Sequence, residues 1–597
     1  MTRTTGPGLF QPHTLALAIA LGISAPAHAV NFNIGEIEGQ FDSSLSIGAS
    51  WSMRSPDRDL IGPNNGGQGQ AQTGDDGRLN FKKGETFSKI FKGIHDLELK
   101  YGDTGAFVRG KYWYDFELKD ESRLFKDISD HNRKEGAKSS GAEILDAFLY
   151  HNYALGDLPG TVRVGKQVVS WGESTFIGNS INAINPIDVA AFRRPGAEIK
   201  EGLIPVNMLY LSQSLTDRLS MEAFYQLEWD QTILDNCGTF FSTADVAADG
   251  CDSGYHIGSP AIAPLQPVAA AFGQGFRVDS EGVILPRAGD RDARDSGQWG
   301  LALRWLGDET EYGAYFINYH SRTPIVSTQN AGLATLAALP GIIGTANGIA
   351  PGSGAGLAQS VMLGNGRYYL EYPEDIRLYG LSFSTTLPTG TAWAGEVSYR
   401  PNLPLQINTT DMTLSLLNPI APGTAPVAAG PGQDNVGYRR KEVTQVQTSF
   451  THFFDQVMGA GRFTLVGEIG MAHVGGLESR EDLRYGRDSL FGAYGFRGDT
   501  HGFVTSTSWG YRVRGIWEYS NVFAGVNLRP NVSWSHDVDG YGPNGLFNEG
   551  AKAVSFGVDA DYRNTYTASL SYTDFFGGKY NTAVDRDFLA LSFGVSF

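Results

Sequence analysis

Between Val162 and Pro205 the chain concentrates side chains that could do chemistry. Trp171-Gly-Glu173, Asn185-Pro-Ile-Asp188, Arg193-Arg-Pro-Gly196 and Glu198-Ile-Lys-Glu201 follow one another closely. Carboxylates and cations this close together suit two tasks. One is acid–base catalysis, which needs a positioned proton donor or acceptor. The other is selection of a solute, because charges around a narrow passage set what crosses it. The catalytic task finds no support elsewhere. The 597 residues contain no Gly-x-Ser-x-Gly elbow, no His-Glu-x-x-His and no complete phosphate loop. His151, His320 and His536 lie near serines or acids, but sequence proximity does not build a triad. Two cysteines without a histidine cluster do not make a zinc site. The reading is of a chain that is not an enzyme and needs no cofactor.

The candidate constriction therefore comprises Trp171, Glu173, Asn185, Asp188, Arg193, Arg194, Glu198, Lys200 and Glu201, within 171–201. Two readings of it stand side by side. Either the segment folds into a lumen and narrows it, or it is an ion-paired outer loop that only closes a wall.

What must position it is a series of strands. Val162 and Val164 alternate with Arg163 and Gly165, leading into Gln167. In Ser555–Tyr562, Phe556, Val558, Ala560 and Tyr562 oppose Ser555, Gly557, Asp559 and Asp561. Tyr566–Thr573 and Val526–Trp534 alternate in the same way. Apolar-out, polar-in alternation is what a wall between lipid and a wet lumen requires. It gives Arg109, Lys111, Asp115, Arg163, Arg529, Asp559 and Asp561 as candidate lumen residues.

Tight turns recur near 102–104, 155–160, 214–217, 307–310, 387–390 and 562–565. Long connections intervene at 54–92, 118–141, 230–297, 320–366, 401–437 and 475–504. Short turns on one side and long loops on the other mark bacterial outer-membrane barrels, and the count predicts about 18 antiparallel strands, within a range of about 16–20. Such a barrel is wide enough for an aqueous channel. The fold class expected is all-β, a transmembrane antiparallel barrel with long extracellular loops.

Three of the long connections are apolar: Pro260–Phe272, Gly332–Ile343 and Leu414–Pro422. They either pack on one another as a cap or line an entrance for apolar solutes. The Ala-rich stretch of the second suits a short helix. Cys237 and Cys251 share one connection, and export favours a disulfide between them. The acid-rich turns Asp290–Asp295 and Asp537–Gly540 do not complete a helix-loop-helix calcium pattern and read as solvated charge.

The ends agree with export. Arg3, the apolar run Leu15–Ile23 and Ala27-His-Ala29 predict a signal peptide over 1–29, cleaved near Ala29, with the barrel over 30–597. Phe588–Phe597 alternates and ends on an aromatic residue, resembling the terminal insertion signal of outer-membrane barrels. The net charge of -17 argues against nucleic acid as a partner. Outer-membrane lipid is the expected surrounding.

Gly165–Glu173, Asn182–Asp188 and Arg193–Pro205 resemble the signature of domain-of-unknown-function family 1302. The resemblance spans essentially the whole mature chain. It implies a Gram-negative outer-membrane protein that handles hydrophobic or amphipathic small molecules. It also implies periplasmic lipoprotein-like and RND-type transporter partners. The expected function is porin-like transport of such molecules. The alternatives are a plugged assembly barrel or, with less support, an outer-membrane hydrolase.

Overall fold

The computed structural model describes residues 30–492 and 499–597. The expected signal segment lies outside them. Nineteen strands join in one sheet, and eighteen of these form a closed antiparallel barrel. In chain order they are β1 (Ile37–Ser52), β2 (Thr86–Tyr101), β3 (Thr104–Asp115), β4 (Ser140–Leu155), β5 (Leu158–Gln167) and β6 (Val206–Ser214). Then follow β7 (Leu219–Gln226), β8 (Trp299–Leu306), β9 (Thr310–Tyr319), β10 (Ile376–Thr386), β11 (Ala392–Gln406) and β12 (Tyr438–Asp455). The last six are β13 (Arg462–Gly475), β14 (Thr507–Phe523), β15 (Val526–Asp539), β16 (Lys552–Tyr562), β17 (Tyr566–Phe576) and β18 (Phe588–Ser596).

Each strand pairs with its sequence neighbours, and β1 pairs with β18 from Ser44↔Ser596 to Ser52↔Phe588, which closes the ring. Closure leaves the barrel's backbone groups paired without an exposed sheet edge, as a membrane requires. The nineteenth strand, Val30–Ile34, folds back on Ile37–Phe41 and extends the wall below the carboxy-terminal end of β18.

The register fixes which side chains face lipid. Opposed outward positions carry apolar residues such as Leu209, Leu301, Val446, Ile469, Phe556 and Phe593, all exposed. Aromatic ladders mark both ends of this belt. Trp299, Phe316, Tyr379 and Tyr399 meet ring to ring in series at the loop end. Trp305–Tyr312 and Phe454–Phe463 stack at the turn end, and Trp517 leans on Phe463. Trp299 and Trp305 sit six residues apart on β8, roughly 20 Å at ~3.3 Å per residue. Two aromatic girdles around an apolar band are the mark of a membrane-spanning barrel.

The loops are unequal, as the turn pattern predicts. Short turns close one end; the long connections 53–85, 116–139, 168–205, 227–298, 320–375, 407–437 and 476–506 crowd the other. The boundaries move by a few residues: β11 runs on to Gln406, and the connection after β9 continues to 375 rather than 366. The three apolar connections pack on one another. Helices α1 (Gln266–Ala271), α2 (Leu333–Ile349), α3 (Gly354–Asn365) and α4 (Thr409–Ser415) share a buried cluster that includes Val268, Leu339, Ile342, Val361 and Leu416. Each such fully buried side chain contributes about 1.5–3 kcal/mol. The cap is thus a small folded core on the outer end of the barrel. Cys237 and Cys251 form a disulfide within its 227–298 connection.

Candidate functional site

The connection 168–205 leaves β5, enters the barrel and lies along its inner wall. Its path is set by apolar side chains on both partners. Val169, Trp171, Ile181 and Ile184 are buried against inward residues of β6–β10, among them Met208, Phe224, Ala302, Tyr315 and Leu378. Trp171 packs against the rings of Phe224 and Tyr315 and donates its indole N–H to Glu222 Oε2 at 2.7 Å. Glycines on the wall keep the approach close. A side-chain carbon at Gly380 would lie 2.8 Å from Ile181, and one at Gly470 2.8 Å from Ile177.

Two carboxylates hold the tip. Glu468 of β13 accepts the backbone N–H groups of Thr175, Phe176 and Ile177 at 3.1, 2.6 and 2.7 Å. Glu396 of β11 accepts those of Glu173 and Ile181. Wall amides complete the seat: Gln445 Nε2 donates to Gly178 O and Gln447 Nε2 to Ile177 O. These acids were not among the candidates read from sequence. Each follows a glycine and stands on the inward face of its strand, but nothing local says that a distant loop will dock there.

The returning half is held by β1–β3. Lys92 of β2 pairs with Glu201 and donates to Gly196 O; Lys111 of β3 pairs with Asp188 at 3.2 Å. All four charged side chains are buried. Asp188 also caps the short turn of helix Val189–Arg193 through Ala191 N–H. Asn185 stitches the loop's two ends, accepting from Val169 N–H and donating to Gln167 O and Ile204 O. Pro195 rests on Gly48 of β1, and Ser44 of β1 donates to Glu198 at 3.4 Å.

The structure thus places the nine constriction candidates in one loop with distinct tasks. Trp171, Asn185, Asp188 and Glu201 are buried anchors. Arg193 pairs with Asp235 at 2.8 Å and lies over Phe241, and Arg194 donates to Gly136 O and lies over Trp113. Both arginines therefore tie the loop to neighbouring connections. Glu198 and Lys200 pair with each other at 3.1 Å, and Glu173 is half-buried. The exposed apolar side chains of the loop are Phe176, Ile187, Phe192 and Ile199, the last 76% exposed.

Of the lumen candidates, Arg109 bridges Asp96 and Asp146 at 2.7 and 3.4 Å, and Arg163 lies over Tyr210. Asp559 accepts from Asn531 and Ser569, Asp561 accepts from Asn527, and Arg529 is exposed. Lys111 is covered by the loop. Asp115 is buried at the upper rim, where it takes the Ser88 hydroxyl and caps the helix Phe116–Asp120.

The cover is one-sided. Inward residues from β2 to β13, such as Lys92, Gln226, Ala302, Ser398 and Gln447, are buried beneath the loop. Inward residues of β14–β17, such as Arg512, Ser533, Ser555, Asp559 and Ser571, stay partly accessible. Above them the outer connections enclose a cavity of about 530 Å³, lined by Tyr255, Ile325, Val504, Tyr541, Phe547 and Tyr580 among others. Phe547 packs on Ile177, so the cavity floor meets the loop tip.

These features define a membrane-spanning β-barrel of eighteen strands with a long connection folded into its interior. The chain belongs to the family described as "Protein of unknown function (DUF1302)", whose model matches residues 11–597. No curated protein matches the chain. Among solved structures, Acinetobacter baumannii OccAB3 is similar at 9% identity and a TM-score of 0.39, over 93% of this chain and 99% of that one. Pseudomonas aeruginosa OpdL is similar at 9% identity and a TM-score of 0.35, over 94% and 98%. The outer membrane channel DcaP of Acinetobacter baumannii is similar at 9% identity and a TM-score of 0.33, over 95% and 100%. The closed strand register, not these likenesses, defines the fold.

Proposed function

We propose that the protein is an outer-membrane channel for small amphipathic or hydrophobic molecules, with the connection 168–205 as its constriction. The observation that carries this reading is the one-sided cover of the lumen. In this reading the solute passes between the loop and the partly accessible inner faces of β14–β17. The loop exposes Phe176, Phe192 and Ile199; the partly accessible strands offer Ser533, Ser555, Ser571 and Asp559. A solute with an apolar body and a polar edge finds a partner on each side. A purely hydrophilic solute loses water against the apolar side without compensation.

The outer cavity offers the same mixture, with Tyr255, Tyr541, Phe547 and Tyr580 beside Arg487, Asp488 and several threonines. The arginines at 193 and 194 act here as anchors that hold the constriction's shape. Periplasmic lipoprotein-like and RND-type partners would take up or deliver the solute at the turn end.

Flux into proteoliposomes tests the reading. The full chain should pass an amphipathic aromatic acid faster than a disaccharide of similar size. Ile199→Asp should reduce the first flux several-fold and leave the second unchanged. No flux of either solute through a correctly folded barrel would favour a plugged assembly protein instead.

A further inference from the structure

Outside the lumen, three carboxylates meet in the outer cap. Asp75 and Asp76 come from the connection 53–85 and Asp245 from the connection 227–298. One donor oxygen from each lies within 4.8 Å of the others, and all three side chains are buried. Their hydrogen bonds account for only part of their oxygens. Asp75 Oδ2 accepts from Gly62 N–H and Asn65 at 2.8 and 3.0 Å, and Asp245 Oδ2 accepts from Asp76 N–H at 3.2 Å. The Oδ1 atoms of Asp75 and Asp245 are buried without any partner. Asp75 is 0% exposed and Asp245 1%.

Lys126 is the cation that acts on all three acids, and it is shared. It contacts Asp76 at 2.9 Å and also Glu281, which adds a fourth negative charge beside the group. Three to four carboxylates facing one ammonium leave an excess of buried negative charge. Burial without compensation is costly for each. A cavity of about 400 Å³ opens onto Asp76 and Asp245, with Glu281 and His256 on its wall. An ion and its waters can therefore reach the cluster.

We propose that Asp75, Asp76 and Asp245 form a calcium site that clamps the connection 53–85 to the connection 227–298. The donor set is all oxygen, which suits a hard cation and not zinc or copper. Calcium accepts irregular carboxylate geometry with 6–8 oxygens and completes its shell with water, whereas magnesium demands a near-ideal octahedron. The unpartnered Oδ1 atoms become ligands, and Lys126 keeps Glu281 as its partner. Thr73, Ala244 and Val246 flank the clamp and line the 530 Å³ cavity, so the ion stiffens the outer mouth. The site stands whether or not the barrel conducts.

Calorimetric titration of the full detergent-solubilised chain, stripped with EDTA, with calcium chloride at neutral pH tests this. One saturable event per chain is expected. Asp75→Asn and Asp245→Asn should each weaken it at least tenfold, while Asp308→Asn, at an exposed turn on the opposite end, should not. Heat-modifiable gel mobility checks that each variant is a folded barrel. No saturable calcium binding by the unaltered chain would overturn the proposal, as would unchanged affinity in both folded variants; protonated acids then account for the cluster.

Discussion

Glu468 shows how much one inward side chain can organise. Its carboxylate receives three consecutive backbone N–H groups from a loop 291 to 293 residues away in sequence. Hydrogen bonds to a charged acceptor are worth about 1.5–3 kcal/mol, against about 0.5–1.5 for neutral ones. Glu468→Gln keeps the shape and removes the charge, so the loop tip should weaken by about 1–3 kcal/mol. Hydrogen exchange at Thr175, Phe176 and Ile177 should quicken by roughly tenfold per 1.4 kcal/mol. Unchanged exchange would remove Glu468 from this role. His320, which sequence places beside polar residues, has a structural task instead. It is 0% exposed, with Nδ1 accepting from Asp375 N–H at 3.0 Å and Nε2 2.9 Å from Ser296 O. Those partners require a neutral ring with the proton on Nε2. Burial, with the nearby Arg294 adding to it, pulls its proton affinity below the usual range, against the pull of Ser296 O, Glu374 and Asp375. A depressed folded value means that its contribution is present above about pH 6.5 and is lost as pH falls below it. Protease cleavage within 320–375 should therefore accelerate as pH falls below about 6.5 in the unaltered chain and lose that dependence in His320→Gln. Period-two alternation made the inward face of Glu468 legible. The partner was not, because a docking loop leaves no mark on the strand's own period.

At the scale of elements, the barrel strands were largely legible. Their alternation, the tight turns and the unequal connections each reflect a local constraint: lipid on one face, water on the other, and a two-sided membrane. The local sequence of 168–205 fits an inward-folded path and an outer loop equally well. A clue did exist in β6–β10, where Met208, Phe224, Ala302 and Ile317 put apolar residues on the face that should be polar. Such a breach of alternation marks a wall that something covers. The buried pairs then fix the loop's return. Removing one partner of a buried ion pair costs about 3–5 kcal/mol, while replacing both by apolar residues is often neutral. Glu201→Ala should therefore free the loop from β2 and expose the bonds after Arg193 and Lys200 to trypsin. The double substitution Lys92→Met with Glu201→Met should restore most of the protection. Equal cleavage in the single variant and the unaltered chain would contradict the anchoring.

At the scale of the whole molecule the lumen is asymmetric: the loop lies on the wall from β18 through β1 to β13 and leaves β14–β17 open. Neither composition nor net charge could show this, since it depends on where one loop lies. The two native cysteines are joined in a disulfide, so a single introduced thiol reports its own surroundings. Ser571→Cys places that thiol on the open wall, and Ala302→Cys places it beneath the loop. Single-channel recording in planar bilayers during exposure to a charged thiol reagent tests the claim most directly. The account predicts a stepwise fall in current for Ser571→Cys and no change for Ala302→Cys. Current unaffected in Ser571→Cys, equal block of both variants, or a folded barrel that never conducts would contradict it.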